Sequence, residues 1–160
     1  MTVPEVTVVT TPDLIDVAYA LRYEVFVNEQ GVPVELERDE RDRDADHVLA
    51  LVDGTPVGAG RLVVEPAGFE GLDRALGAVG HLGRLAVLRE ARGAGLGAAL
   101  VRAIEARAVQ RGLACVYLGA QTHARGFYEG LGYSAYGEEF DDAGLPHRHM
   151  WRPLDAPRSW

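Results

Sequence analysis

The sequence predicts a single mixed α/β domain, residues 1–160, with helices flanking a central mixed sheet of about six to seven strands. Three observations carry that expectation. Apolar segments of strand and helix period alternate in the order β-α-loop-β-β-β-α-β-α-β-β. Asp53-Gly54 stands between two β-branched runs, a strong hairpin signal. A glycine-rich stretch, residues 92–98, joins an apolar strand to a helix.

The elements follow in chain order. Val3 to Val9 is rich in β-branched residues and reads as the first strand. Thr11-Pro12-Asp13 has the chemistry of a helix start: a hydroxyl cap, proline at the first helical position and an acid in the first turn. Leu14, Val17, Ala18, Leu21 and Val25 continue it at helical spacing, and Gly31 and Pro33 should end it. Residues 35–46 are almost wholly charged and read as a solvated loop or short helix. His47–Val52 and Pro56–Val64 are the hairpin strands; a loop follows from Glu65 to about Val79. Leu82–Leu88 is a short apolar strand, and Leu96, Leu100, Ala103, Ile104 and Ala108 mark a helix closed by Gly112. Ala114–Leu118 is a strand. Ala124, Phe127, Tyr128 and Leu131 mark a shorter helix stopped by Gly132. Tyr133–Phe140 and His147–Trp151 are the last two strands, around a turn at Asp141-Asp142-Ala143-Gly144.

Composition narrows the function classes. Hydrophobic residues make up 48% and charged residues 25%, so a packed core is expected and disorder is not. No run reaches the ~20 apolar residues of a membrane span, and no basic-then-apolar leader opens the chain. A single cysteine, Cys115, excludes an internal disulfide framework and fits a reducing compartment, so a cytoplasmic location is expected. A net charge of −8 disfavours nucleic acid and suits a cationic or amine partner. All 16 basic residues are arginine. Without lysine the chain can form neither a Walker P-loop nor a Schiff base.

Residues 92–98, Arg-Gly-Ala-Gly-Leu-Gly-Ala, carry the chemistry of an anion site. Glycines let the backbone approach a diphosphate, and the first N–H groups of the following helix point outward without intrahelical partners. Arg92 adds a planar fork of donors. The run also fits the loose dinucleotide pattern G-x-G-x-x-G/A, which requires an acid at the end of the next strand. That strand ends in Gly119-Ala120, and the nicotinamide reading is rejected.

The pattern R-x-x-G-x-G after Leu85-Ala86-Val87 resembles the acyl-coenzyme A loop of the GNAT acetyltransferases. The stretch from Ala124 to Tyr133 is similar to that family's second signature, A-x-x-F-Y-x-x-L-G-F/Y, one strand further on. The resemblance covers nearly the whole chain and implies splayed parallel strands at 82–88 and 114–119. Acetyl-coenzyme A is then the implied co-substrate, held by Leu85, Ala86, Val87, Arg92, Gly93, Gly95, Gly97, Ala98, Phe127 and Tyr128. The implied reaction is direct attack of an amine on the thioester with both substrates bound. Tyr128 donates a proton to the leaving thiolate, and a strand amide near Leu85 or Val87 steadies the oxyanion. The family's habit of pairing an exposed edge strand makes a homodimer compatible with this reading. A sensor or partner subunit of the same fold, binding acyl-coenzyme A without turnover, is the rival of a different class.

Leu21 to Gly31, with L-R-x-x-V-F-V-x-E-Q, resembles the ElaA-like branch of that family, and Asp39, Asp42, His47 and Gly144-Leu145-Pro146-His147 match its continuation. The same stretch is similar to acyl-homoserine-lactone synthases in Arg22, Phe26, the Asp39/Asp42 pair and Arg61, but has no tryptophan near Val32 or Val34. The expected acceptor contacts are Arg22, Phe26, Glu29 and Arg84; for Arg84 a structural ion pair is the equal alternative. The base that takes the amine proton is Glu29 or His147, ahead of His123, or a water they order. Cys115 sits in an apolar strand and reads as a small hydrophobe rather than a nucleophile. Asp42-x-Asp44-x-Asp46 imitates half a calcium loop, but His47 stands where glycine is needed, and the histidines form no zinc pattern; no metal is expected.

Overall fold

The structure, a computed structural model, describes residues 4–155. Its strands are β1 (Glu5–Val8), β2 (Asp46–Val52), β3 (Thr55–Glu65), β4 (Val79–Val87), β5 (Cys115–Gln121), β6 (Ser134–Asp142) and β7 (Leu145–Pro153). Its α-helices are α1 (Pro12–Arg22), the single turn α2 (Val34–Glu37), α3 (Leu96–Gln110) and α4 (Arg125–Gly130). The strands form one mixed seven-stranded sheet in the order β1-β2-β3-β4-β5-β7-β6. β4 and β5 run parallel, with Gly80 opposite Val116 and His81 opposite Tyr117. The β1/β2, β2/β3, β5/β7 and β6/β7 pairs are antiparallel. Val3 of the expected first strand lies outside the described residues.

The expected turns form for the expected reason. Asp53 and Gly54 take φ of 51° and 78°, the two left-handed residues of a tight hairpin, and Ala143 and Gly144 repeat the device with 52° and 81°. Thr11 caps α1 by accepting from the Leu14 N–H at 3.4 Å, and Pro12 occupies the first helical position. The helix then departs from expectation. From Tyr23 to Glu29 it widens into a π-helical segment in which the Gln30 N–H donates to Val25 O, five residues back. The loop before β4 contains two short 3₁₀ turns, Phe69–Gly71 and Arg74–Leu76.

Two compact units divide the chain: residues up to Val63 with Arg84–Ile104, and Val64–Gly83 with the residues from Glu105 onward. In the first, Ala18 and Leu21 of α1 pack with Leu49 and Ala59, and Leu100, Val101 and Ile104 of α3 are fully buried. Gly60 has no room for a side chain: a Cβ there would sit 2.9 Å from Ile104 Cδ1. In the second, Leu72, Val79, Cys115 and Tyr117 form the core, joined by Phe69, Leu76, Tyr136 and Trp151. Cys115 is fully buried and burial pushes its thiol up, as suits a small hydrophobe.

The charged stretch 35–46 is mostly exposed and carries short helical turns, as expected, but two of its acids turn inward. Glu37 and Asp42 are buried beside Arg22, which is only 1% exposed, and Arg61. Arg22 donates through Nε to Glu37, through Nη1 to Asp42 Oδ1 at 2.7 Å and through Nη2 to Asp42 Oδ2 at 3.1 Å. Arg61 Nη1 shares the same Asp42 oxygen at 2.8 Å and reaches Asp39 Oδ1 at 2.7 Å. A buried charge persists only when paired and hydrogen-bonded, and each of these is. The segment therefore reads as polar in sequence yet is fastened inward by arginines from α1 and β3.

Candidate functional site

In the first unit, β4 leads through the short turn Arg89–Ala91 into Arg92 and then α3. Gly93 and Gly95 take φ of 85° and 81°, with open space where a Cβ would stand. Glycine is needed here for its backbone conformation, and the result is a loop that exposes backbone immediately ahead of the 15-residue helix α3. Gly97 and Ala98 lie in the first turn of α3. Ala86 is buried; Leu85 and Val87 flank it half-buried on β4.

Arg92 is held at three points. Its Nε donates to Val87 O at 3.0 Å, and its Nη1 and Nη2 grip both carboxylate oxygens of Glu29 at 2.7 and 2.6 Å. Arg89 Nη2 stands 3.7 Å from the same carboxylate. Hydrogen bonding from Arg92 holds Glu29 below the usual carboxylate range. An open recess of about 410 Å³ adjoins this pair, lined by Glu24, Val25, Asn28, Glu29, Leu88, Arg89 and Glu90. Glu29 is thus the counter-ion of Arg92, and a carboxylate so stabilised is a poorer proton acceptor than a free one.

The expected acceptor contacts separate. Phe26 is half-buried in the π-helical segment. Arg22 is buried, and its guanidinium is engaged by Glu37 and Asp42, which commits it to the framework. Arg84 adopts the ion-pair alternative, donating to the carbonyls of Glu37 (2.9 Å) and Leu36 (3.2 Å) and to Asp39 Oδ2 (3.3 Å).

In the second unit, Tyr128 lies in α4 and is 8% exposed, its ring edge-on to Phe127 and Tyr133. Burial pushes its phenol up to about 12, so it is protonated at neutral pH. Tyr133, behind it, donates to Glu105 at 2.8 Å, and Glu105 pairs with Arg152. Phe127 is exposed.

His147 is buried on β7, opposite Gln121 of β5. Its Nδ1 lies 2.8 Å from Leu145 O. A carbonyl only accepts, so Nδ1 carries a proton, which in the neutral ring leaves the lone pair on Nε2. His123 is exposed in a 3₁₀ turn before α4.

Sequence reasoning passed over a second histidine group in this unit. Two residues along β7, His149 is hydrogen-bonded through Nδ1 to the Tyr117 hydroxyl at 2.6 Å and stacks on Phe140 with centroids 4.2 Å apart. His81 pairs with Glu65 at 2.9 Å. The alternation His147, His149, Trp151 along β7 was the available signal: alternate strand residues share one face.

Comparison with known proteins agrees with this architecture. Residues 9–153 match the family model described as an acetyltransferase (GNAT) domain. An uncharacterized N-acetyltransferase, YjcF, of Bacillus subtilis (strain 168) is 39% identical over 136 residues, covering 84% of this chain and 89% of that protein. The crystal structure of an acyl-CoA N-acyltransferase from Pseudomonas aeruginosa superposes with a TM-score of 0.77 at 31% identity, covering 94% of this chain and 99% of that one. The crystal structure of Escherichia coli ElaA gives a TM-score of 0.73 at 26% identity, covering 95% and 99%.

Proposed function

Because the chain belongs to the GNAT acetyltransferase family and is an N-acetyltransferase, we propose that it moves an acetyl group from acetyl-coenzyme A directly to an amine. The observation that carries this reading is the Arg92–Gly95 loop: an arginine fork and two left-handed glycines immediately ahead of a long helix. That donor set fits a diphosphate, which binds well to outward N–H groups at a helix start. The Pseudomonas relative, described as an acyl-CoA N-acyltransferase, supports the same co-substrate class. Arg92, Gly93, Gly95, Gly97 and Ala98 would hold the diphosphate, and Leu85, Ala86 and Val87 would line the pantetheine arm; the family resemblance assigns Phe127 and Tyr128 to the same co-substrate.

When bound, acetyl-coenzyme A supplies an activated thioester carbonyl. The chain's own residues orient and move protons. A β4 N–H near Leu85 or Val87 donates to the acyl oxygen, the kind of fixed dipole that is most effective in a water-poor site. Tyr128, kept protonated by burial, donates to the departing sulfur. The amine must be neutral to attack, and of the two candidate bases His147 is favoured over Glu29 as the acceptor of its proton, because the Glu29 carboxylate is bound to Arg92.

The test is thiol release from acetyl-coenzyme A across a panel of amines, for the wild type and Tyr128→Phe. Turnover with one amine class, reduced ~10²-fold or more by the substitution with the melting temperature kept, is the expected result. The chain has no lysine, so self-acetylation of lysine adds no background. Binding of acetyl-coenzyme A without thiol release from any amine would overturn catalysis in favour of a sensor.

A further inference from the structure

Arg84 lies inside β4, yet its φ is 51°. Among the described residues, the other non-glycine positions with positive φ, Asp53, Glu70 and Ala143, all sit in turns. A left-handed residue within an extended strand is strained, and it re-aims the peptide groups on either side of it. Such strain persists only where the surroundings over-determine it, and it collects at functional sites.

The surroundings here are specific. The Arg84 side chain reaches out to the carbonyls of Leu36 and Glu37 and to Asp39. Asp39 is itself gripped by both Nη atoms of Arg61, at 2.7 and 3.0 Å, and its backbone N–H donates to Asp42. Glu37 O accepts from Arg22 as well as from Arg84, each at 2.9 Å. Three arginines from α1, β3 and β4 thus converge on one short acidic segment whose apolar side chain Leu36, like Val34 just before it, is more than half exposed. Polar fastening, rather than apolar burial, sets the position of this segment.

We propose that the segment Leu36–Asp42 is a clamp that holds Arg84 in its left-handed conformation and thereby fixes the β4 peptide groups from Arg84 to Val87 for catalysis. Arg84, Asp39 and Arg61 are positioning residues. Their guanidinium and carboxylate groups act through the strand backbone, and none is required to touch a substrate. The catalytic part of this inference rests on the proposed acetyl transfer, in which the β4 amides face the acyl group; the mechanical part does not.

Two measurements separate those parts. Steady-state kinetics would compare Arg84→Ala, Arg84→Gly and Asp39→Asn with the wild type. Glycine accepts a positive φ without strain and alanine does not. The expected order of kcat is wild type, then Arg84→Gly, then Arg84→Ala, the last reduced ~10-fold or more. KM for acetyl-coenzyme A should stay within ~2-fold, because substrate contacts are kept. A merely structural role would instead lower the melting temperature without ordering glycine above alanine in kcat. Amide hydrogen exchange at residues 85–87 provides the second readout. Asp39→Asn is the mildest of the three changes, and exchange there should rise while the β6–β7 hairpin keeps its protection. If the wild type releases no thiol and Asp39→Asn still loosens residues 85–87, the acetyltransferase mechanism fails and the clamp stands. Unchanged exchange in Asp39→Asn, or equal kcat for Arg84→Ala and Arg84→Gly, overturns the clamp.

Discussion

At the scale of single residues, the pairing of Glu29 with Arg92 has a direct consequence for cofactor affinity. Both guanidinium Nη atoms face the Glu29 carboxylate, the same planar fork that a diphosphate would use. The two anions therefore compete for Arg92. Glu29→Gln removes the charge while keeping the size, and it should tighten coenzyme A binding by a few-fold, an effect titration calorimetry at low salt can read. Weaker binding in Glu29→Gln would show the opposite: that Glu29 holds Arg92 in its productive orientation. Tyr128 is governed by different physics. Burial alone raises its phenol, so it is solvent exclusion and not a charged neighbour that keeps it protonated.

At the scale of elements, the contact between β3 and α3 depends on glycines. A methyl group at Gly60 would meet Ile104 Cδ1 at 2.9 Å, closer than side-chain carbons pack. Gly60→Ala should cost about 1–3 kcal/mol in chemical denaturation, the usual range for overpacking a core. Ile104→Val deletes that methyl and should cost about 1 kcal/mol alone. Combined, the two should cost less than their sum, a non-additivity expected only if the clash is the cause. Exact additivity would place the damage elsewhere. Elements were also the scale best read from sequence. The Asp53-Gly54 turn, the Thr11-Pro12 helix start and the glycine stops at 112 and 132 are local chemistry, so their residues announce them. The π-helical segment escaped because Leu21 and Val25 keep an apolar spacing that an ordinary α-helix also satisfies. The burial of Asp42 escaped because its partners lie 20 and 19 residues away in sequence, and no local pattern distinguishes a paired aspartate from a solvated one. For the candidate site, the glycine loop and Tyr128 were legible as motifs, whereas the grip of Arg92 on Glu29, 63 residues apart, was not.

For the whole molecule, the response to pH follows from which charged groups are committed to partners. The net charge is −8 and arginine is the sole source of the 16 fixed basic charges, so no lysine titrates at the alkaline end. Asp42, buried and held by Arg22 and Arg61, and Asp39, exposed and held by Arg61, are both pushed below the ordinary aspartate range, their hydrogen bonds to arginine outweighing the desolvation that opposes them. A carboxylate lowered in the folded state contributes stability above its unfolded value of about 3.9 and loses it as pH falls toward the folded value. The buried phenols act in the opposite sense. Tyr117, Tyr128 and Tyr133 are raised, chiefly by burial, so their contribution is full below about 10 and lost above it. Melting temperature against pH should therefore show a broad plateau, a decline below about pH 4 and another above about pH 10. Asp42→Asn should lower the plateau by about 3 kcal/mol, because two buried guanidinium groups lose a shared partner, and should flatten the acid decline. An acid limb as steep in the variant as in the wild type would mean that the arginine-bound carboxylates do not govern acid stability, and that the surplus of surface acids does.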